Sequence, residues 1–599
     1  EPEDGNDAPA MQYRVRMSDG DVVYGLGENV RGINKRGWVY ESKCSDDPNH
    51  TESKRSLYGA HNFIIIADAD NPAASKGLFI DYPGRVIFDI GYLDKNELVI
   101  TVCSGNFTAY VVSPAMDGAD GSDNHLYSIV RQFRHIIGKS YVPPRWAFGY
   151  QQCRWSYMSA DEVCGVVDSY RKRNIPIDAV YLDIDYMERY KDFTVNKETF
   201  PDFADFVKKM REKHIHLVPI IDAGVKIEDG YDTYEEGRKN GYFCKEADGE
   251  DFVAGVWPGR VHFPDVLNED ARRWFGHGYK VLLDAGIDGF WNDMNEPASF
   301  RGGLPQDVVF HDEERTTNHA EMHNVYGHYM SRATFEGLQK LSDKRPFVIT
   351  RAAYAGTQKY ATVWTGDNQS LWSHLQMMVP QLCNLGMSGF AFAGTDIGGF
   401  GADTTPELLT RWIEAAVFSP LFRNHSCQGT RRQEPWQFDD QVVGIYRKYV
   451  KMRYRFLPYL YDLFYQGEQT GLPVMRPLVL HYPKDPETYN LNGEFLVGEN
   501  LLVAPVLEQG ATKKMVYLPE GEWYDYWTGE KITGGKYFLR DAPIDLCPMY
   551  LKEGTMIPMY EKMAYVGEKP YRTLYLLTTP GEASYDHFQD NGEDYAYRK

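Results

Sequence analysis

The sequence predicts an α/β chain: a (β/α)8 TIM barrel with an N-terminal β-sandwich and one or more C-terminal β-sandwich domains. Three observations predict it. Between Trp146 and about Gly467, apolar strand-like runs alternate with amphipathic helical stretches, the texture of a parallel sheet with crossover helices. On either side, short apolar segments are broken by Gly, Pro, Asn and Asp, the texture of antiparallel β-structure. The run Gly289-Phe-Trp-Asn-Asp-Met-Asn-Glu-Pro297 carries a mostly apolar stretch, residues 281–290, abruptly into Trp291, Asn292, Asp293, Asn295 and Glu296, and Pro297 ends regular structure. Such a strand delivers carboxylates to its carboxyl end, where barrels of this kind place their chemistry.

The 599 residues are too many for one core. The N-terminal sandwich is expected over residues 1–142, with segments such as Val22-Val-Tyr24, Asn62-Phe-Ile-Ile-Ile66, Leu78-Phe-Ile80 and Val86-Ile-Phe88; residues 41–56 are polar and read as a long loop. The barrel is expected over residues 143–466, with strands at 148–155, 179–185, 217–223, 289–296, 347–351, 361–367, 389–396 and 420–425. Helix starts fall between them. Ser159-x-x-Glu162 forms a capping box, Asn268 caps a helix at 271–284, and Thr405-Pro406-Glu407 supplies a cap, a first-turn proline and an acid. Inserts are expected after the third strand, near residues 225–266 with an Asp248-Gly249 hairpin signal, and after the fourth, near 298–318. A proximal C-terminal β domain is expected over 467–558, and a small or truncated distal one over 559–599.

The formal charge of −21 and the absence of a basic stripe argue against nucleic-acid and anionic-membrane partners. No apolar run reaches the length of a membrane span. The eight cysteines are scattered and form no Cys-x-x-Cys pair, as free thiols in a reducing compartment would; residues 1–10 are acidic and show no secretory signal. A cytoplasmic location is therefore expected. Aromatics reach 14 %, which suits large cores and also sugar-stacking surfaces.

Every expected barrel strand ends in a charged group: Arg154 beside Trp155, Asp183 and Asp185, Asp222, Asp293 and Glu296, Arg351, Asp367 after Trp364, Asp396, and Arg423 with His425. Several carboxylates with arginine, histidine and tryptophan walls, and no sign of a cofactor, suit glycoside hydrolysis. That reaction needs one carboxylate ionised at C1 and one carboxylic acid protonating the leaving oxygen. A metal site at Asp183-Ile-Asp185 is the chemical competitor, but no phosphate loop accompanies it. His214-Ile-His216 begins the third strand, on the opposite face, and reads as structural.

These motifs resemble glycoside hydrolase family 31, the α-glucosidases that include maltase and sucrase-isomaltase. The matching elements, in order, are Asp183-Ile-Asp-Tyr-Met187, Ile220-Ile-Asp222, Val256-Trp-Pro-Gly259, Trp291-Asn-Asp-Met-Asn-Glu-Pro297, Thr350-Arg351, Trp364-Thr-Gly-Asp-Asn368, Gly394-Thr-Asp-Ile-Gly-Gly-Phe400 and Arg423-Asn-His425. The resemblance implies a retaining double displacement with Asp293 as nucleophile and Asp367 as acid/base; residue types alone leave Asp293 and Glu296 equal. It also implies that Asp183, Arg351, Asp396 and His425 bind the reacting sugar, and that Trp257, Trp291, Ile220, Ile221 and Phe400 line it. Trp155, where relatives with α-1,4 preference carry tyrosine, implies tolerance of α-1,6 links, and the loop bearing Asp46 and Asp47 is expected to approach the same subsite. The chain resembles compact bacterial members. The expected activity is an exo-α-glucosidase on short α-glucosides, with no cofactor or metal, a small oligosaccharide as substrate and a possible homo-oligomer. α-Xylosidase, α-galactosidase and sulfoquinovosidase activities share the same carboxylates, and a sugar-binding protein without activity is the reading from another class.

Overall fold

The computed structural model describes residues 10–104, 106–115, 124–312 and 315–598; apart from Ala10, the acidic start read above lies outside them. The N-terminal part is a sandwich of two four-stranded antiparallel sheets. One runs in the order Met11–Arg16, Glu97–Val102, Val86–Ile90, Trp38–Ser42, the other Val22–Gly25, Phe63–Ala67, Lys76–Asp81, Thr108–Val112. Alternation sets the inner face: Leu98, Ile100 and Val102 of one sheet meet Ile64, Ile66, Leu78 and Ile80 of the other in one core.

The expectation of β-structure throughout this region needs correcting. His125–Ile137 is a helix, with Asn124 accepting from the N–H groups of Leu126 and Tyr127. Leu126, Ile129, Val130, Phe133 and Ile137 form its buried stripe, and Phe133 stacks on Phe63 at a ring separation of 3.7 Å.

The barrel strands are β1 (Gln151–Gln152), β2 (Ala179–Leu182), β3 (His216–Asp222), β4 (Gly289–Asp293), β5 (Phe347–Thr350), β6 (Thr362–Trp364), β7 (Ala393–Gly394) and β8 (Arg423–Asn424). They form one eight-stranded parallel sheet in the order β7-β6-β5-β4-β3-β2-β1-β8. Backbone hydrogen bonds close the seam: Leu421 N–H donates to Ala393 O and Ile397 N–H to Arg423 O, each at 3.1 Å. Several ladders are shorter than the apolar runs suggest, although at β3 and β4 Asp222 and Asp293 stay in register. At β2, Asp183 turns the chain into a 3-10 turn, its side chain accepting from Ile184 N–H. The caps at Ser159, Asn268 and Thr405 form, but the helix after Asn268 is two, Glu269–Gly278 and Lys280–Asp284.

Both inserts fold above the carboxyl ends of the strands. The first contains a three-stranded sheet (Val225–Lys226, Gly259–His262, Ala254–Val256), the helix Asp232–Asn240 and a tight reversal in which Lys245 pairs with Asp251. The second contributes the hairpin Val309–His311 with Thr316–Asn318, joined to the first at Lys245 and Val309. A helix of 31 residues, Asp440–Thr470, follows the barrel. Beyond it lies a six-stranded sheet running from Met475–Arg476 to Lys531–Thr533, with two further two-stranded ribbons.

The last described residues return to the amino-terminal end of the barrel. Asp590 pairs there with Arg145 and Arg345 at 2.8 and 2.7 Å, and Phe588 stacks on Tyr465. His216 belongs to this end too, stacked on Trp146 and bonded to Asp288, and His214 stacks on Tyr565; both roles are structural. All eight cysteines are unpaired. Among the described residues, no helix is long and apolar enough to cross a membrane.

Candidate active site

The carboxyl ends of the barrel strands converge on a pocket of about 80 Å³. Of the residues expected there, Asp46, Trp155, Asp183, Ile220, Trp257, Trp291, Asp293, Arg351, Asp367, Phe400 and His425 line it, joined by Ile184, Met294 and Phe300. Two expected residues do not line it. Ile221 is buried one step along β3 from Ile220, so the two-residue alternation turns it toward the helix layer. Asp396 is wholly buried against Arg423, 2.6 Å away.

Arg351, at the end of β5, organises the charges. Its Nε lies 2.8 Å from Asp293 and 2.7 Å from Glu296, Nη2 lies 3.2 Å from Asp46, and Nη1 lies 3.3 Å from Asp367. The Nε–H donates to Glu296, while Oδ1 of Asp293 accepts no hydrogen bond, so Asp293 is held by charge. Tyr58 of the N-terminal sandwich lies beneath the guanidinium at 4.6 Å. One cation among four carboxylates in a partly dry mouth cannot keep them all ionised.

Their surroundings separate them. Glu296 is 1 % exposed and does not reach the pocket. Asp293 lines it; burial raises its pKa, and Arg351 opposes the rise. Asp367 has the longest contact with Arg351, and burial, with Asp293 and Asp46 nearby, pushes it up to about 7 despite that contact. Around neutral pH Asp367 is therefore part protonated, while Asp293 has the guanidinium closer to it; the two strands are separated by β5 alone.

The floor and walls are built by aromatics. Arg423 sits at the barrel centre with its Cζ 4.9 Å from the Tyr181 ring, 5.2 Å from Trp291 and 5.0 Å from Trp364. His425 meets Trp291 edge-on, leans on Phe400, and stands 3.8 Å from Asp183; burial, Arg423 and Arg154 hold it well below the usual histidine range. At the lip, Trp155 meets Trp257 edge-to-face at 5.0 Å, and Trp257 meets Phe300 at 4.8 Å. Phe300 comes from the second insert, its N–H bonded to Gly255 O of the first. Cys153, Asp183 and His425 bring ligand-type atoms within 4.8 Å of one another. A divalent cation there would meet Arg423 and Arg154 beside the imidazole and a thiol pushed up by burial, so the cluster offers it little net negative charge.

Sequence reasoning missed Ile184, Met294, Phe300 and Tyr58. Ile184 and Met294 adjoin residues already singled out, whereas nothing in the sequence places Phe300 at the lip or Tyr58 against Arg351.

Two carboxyls held unequally by one guanidinium at the mouth of such a barrel, walled by tryptophan, define a glycoside-hydrolase site. The TIM-barrel domain of glycosyl hydrolases family 31 matches residues 140–463, the C-terminal domain of that family residues 471–557, and its N-terminal galactose mutarotase-like domain residues 2–89. The chain belongs to glycoside hydrolase family 31. It is 40 % identical to "Alpha-glucosidase 2" of Bacillus thermoamyloliquefaciens over 97 % of this chain and 73 % of the relative. It is 33 % identical to a "Probable glucan 1,3-alpha-glucosidase" of Oryza sativa subsp. japonica, over 92 % of this chain and 60 % of the relative. Among solved structures, a Flavobacterium johnsoniae family 31 dextranase complexed with glucose superposes with a TM-score of 0.91 at 31 % identity, covering 99 % of this chain and 73 % of that one.

Proposed function

We propose that this protein is a retaining exo-α-glucosidase that removes α-glucose from the non-reducing end of short α-glucosides, with both α-1,6 and α-1,4 links accepted. The observation that carries the reading is the asymmetry of the two pocket carboxyls around Arg351: Asp293 close to the guanidinium, Asp367 further off and part protonated near neutrality. Asp293 attacks C1 while Asp367 donates its proton to the leaving oxygen. Asp367 then takes a proton from the water that releases glucose. Glu296 is set aside as nucleophile because Arg351 holds it away from the pocket. Asp183 and His425 stand where they can bond ring hydroxyls, with Trp291, Ile220 and Phe400 as apolar walls. Asp396, behind Asp367, acts through Arg423.

The closed floor favours one terminal sugar and hence exo action. The aromatic lip gives the leaving sugar a platform. Support for the α-1,6 link also comes from relatives: a variant of the Flavobacterium dextranase, 30 % identical to this chain, is known in complex with isomaltotriose. The test is a panel of α-linked disaccharides with NMR of the first product. Isomaltose and maltose should both be cleaved and α-glucose should appear first; β-glucose first would mean inversion and end this reading.

A further inference from the structure

The β3–β4 ladder pairs Ile220 with Trp291, Ile221 with Asn292, and Asp222 with Asp293. Ile220 and Trp291 line the pocket. One step on, Asn292 bonds to Tyr279 and Thr334 in the helix layer. By alternation Asp222 and Asp293 both turn back to the interior, side by side on strands about 4.8 Å apart. Asp293 reaches the pocket, but Asp222 is 1 % exposed and does not.

Neither carboxylate oxygen of Asp222 accepts a hydrogen bond, nor does Oδ1 of Asp293. Around Asp222 stand Asp183 from the end of β2, Asp192 and Tyr186 from the loop after it, Asp293 from β4 and Arg351 from β5; Tyr231 of the first insert faces Asp192. Asp192 accepts the Asp222 backbone N–H at 2.9 Å, and its other oxygen has no partner. Arg351, the cation of this group, is already shared among Asp293, Glu296, Asp46 and Asp367. A buried carboxyl with no donor and no cation of its own keeps its proton. That O–H needs an acceptor, and Oδ1 of Asp293, although 2.8 Å from Arg351 Nε, receives no N–H from it because that hydrogen goes to Glu296.

We propose that Asp222 is a positioning residue that works as the neutral acid, its O–H donating to Oδ1 of Asp293 and fixing the orientation that turns the other oxygen toward the sugar. The proposal rests on the reading of Asp293 as nucleophile.

The test compares Asp222→Asn, which keeps a donor and no charge, with Asp222→Ala and the better-filling Asp222→Leu, which have none. The readout is the pH dependence of kcat and kcat/KM on an aryl α-glucoside. The Asn variant should stay within about threefold of the parent with its acidic limb unmoved. The Ala and Leu variants should lose about ten- to hundredfold in kcat with KM little changed. Their acidic limb should move to higher pH, because the Asp293 carboxylate has lost a donor. An Asn variant as damaged as Ala would show that a charged Asp222 is required. A limb that stays put in Ala or Leu would show that Asp222 donates to Asp192 or only fills space. Either result overturns the proposal. If neither Ala nor Leu folds, an Asn variant weakened more than about tenfold overturns it alone. Labelling the parent enzyme with a 5-fluoro-α-glucosyl fluoride and mapping the labelled peptide checks the underlying reading separately. Label on Asp293 with an unmoved limb sinks only the role of Asp222, whereas label elsewhere sinks the nucleophile assignment.

Discussion

At the scale of single residues, the site works by unequal sharing of one guanidinium. Asp367 must be protonated to assist departure of the leaving sugar, and its pKa is pushed up to about 7. Activity should therefore fall as pH rises through about 7, and a pH profile of kcat/KM checks this. Asp367→Ala should lose about 10²–10⁴-fold on disaccharides and far less on activated aryl glucosides, with azide restoring part of the second step. Equal losses on both substrates would remove Asp367 from the role. Trp155 reaches the lip through its edge contact with Trp257. Trp155→Tyr should shift the isomaltose-to-maltose ratio of kcat/KM toward maltose, by about 1–3 kcal/mol; an unchanged ratio would move the linkage preference to Phe300 and the inserts. The ends of the barrel strands were legible because each strand runs out in a charge. The roles of Asp46 and Tyr58 were harder to read. Asp46 lies 305 residues from Arg351, and no local pattern encodes a contact that exists only once the sandwich has docked.

At the scale of elements, a short helical turn holds that docking in place. The side chain of Asn324, in the turn His323–Val325, accepts from Cys44 N–H at 2.8 Å and donates to Ser42 O and Gly84 O at 3.1 and 2.9 Å. Cys44 is two residues from Asp46, so this asparagine sets where the acidic loop meets Arg351. Asn324→Ala would leave several buried backbone groups unpaired, at about 2 kcal/mol or more of apparent stability. It should also raise KM through the displaced loop; a stable variant with native KM would show that the loop docks by other contacts. The helix His125–Ile137 shows why an element can be misread. Its apolar spacing is helical, but Tyr127, Ile129, Val130 and Phe133 are strand formers in a region of strands, and tertiary packing on Phe63 and Phe79 decides the outcome. Ile221 shows the converse: the motif names two isoleucines, and only the ladder register tells which faces the sugar.

At the scale of the molecule, the two ends of the barrel divide the work. The carboxyl end carries the pocket, and the amino end is locked by the returning chain. Arg145, Arg345 and Asp590 are nearly inaccessible, with side-chain exposures of 8, 0 and 5 %. Asp590→Asn leaves two buried guanidiniums without their carboxylate, which should cost about 3–5 kcal/mol of apparent stability. It should leave KM unchanged at temperatures where the protein stays folded, because the pocket is at the opposite end. Thermal melts and kinetics on the same preparation check both halves, and a destabilised variant with altered KM would show that the two ends are coupled.

That lock also bears on how the chain is made. Arg145 stands just ahead of β1, Arg345 ahead of β5, and Asp590 lies some 245 residues beyond the second of them. During synthesis from the amino terminus, every barrel strand leaves the ribosome well before the carboxylate that neutralises both arginines. Until that carboxylate arrives, the two guanidiniums at the base of the barrel lack the partner they share.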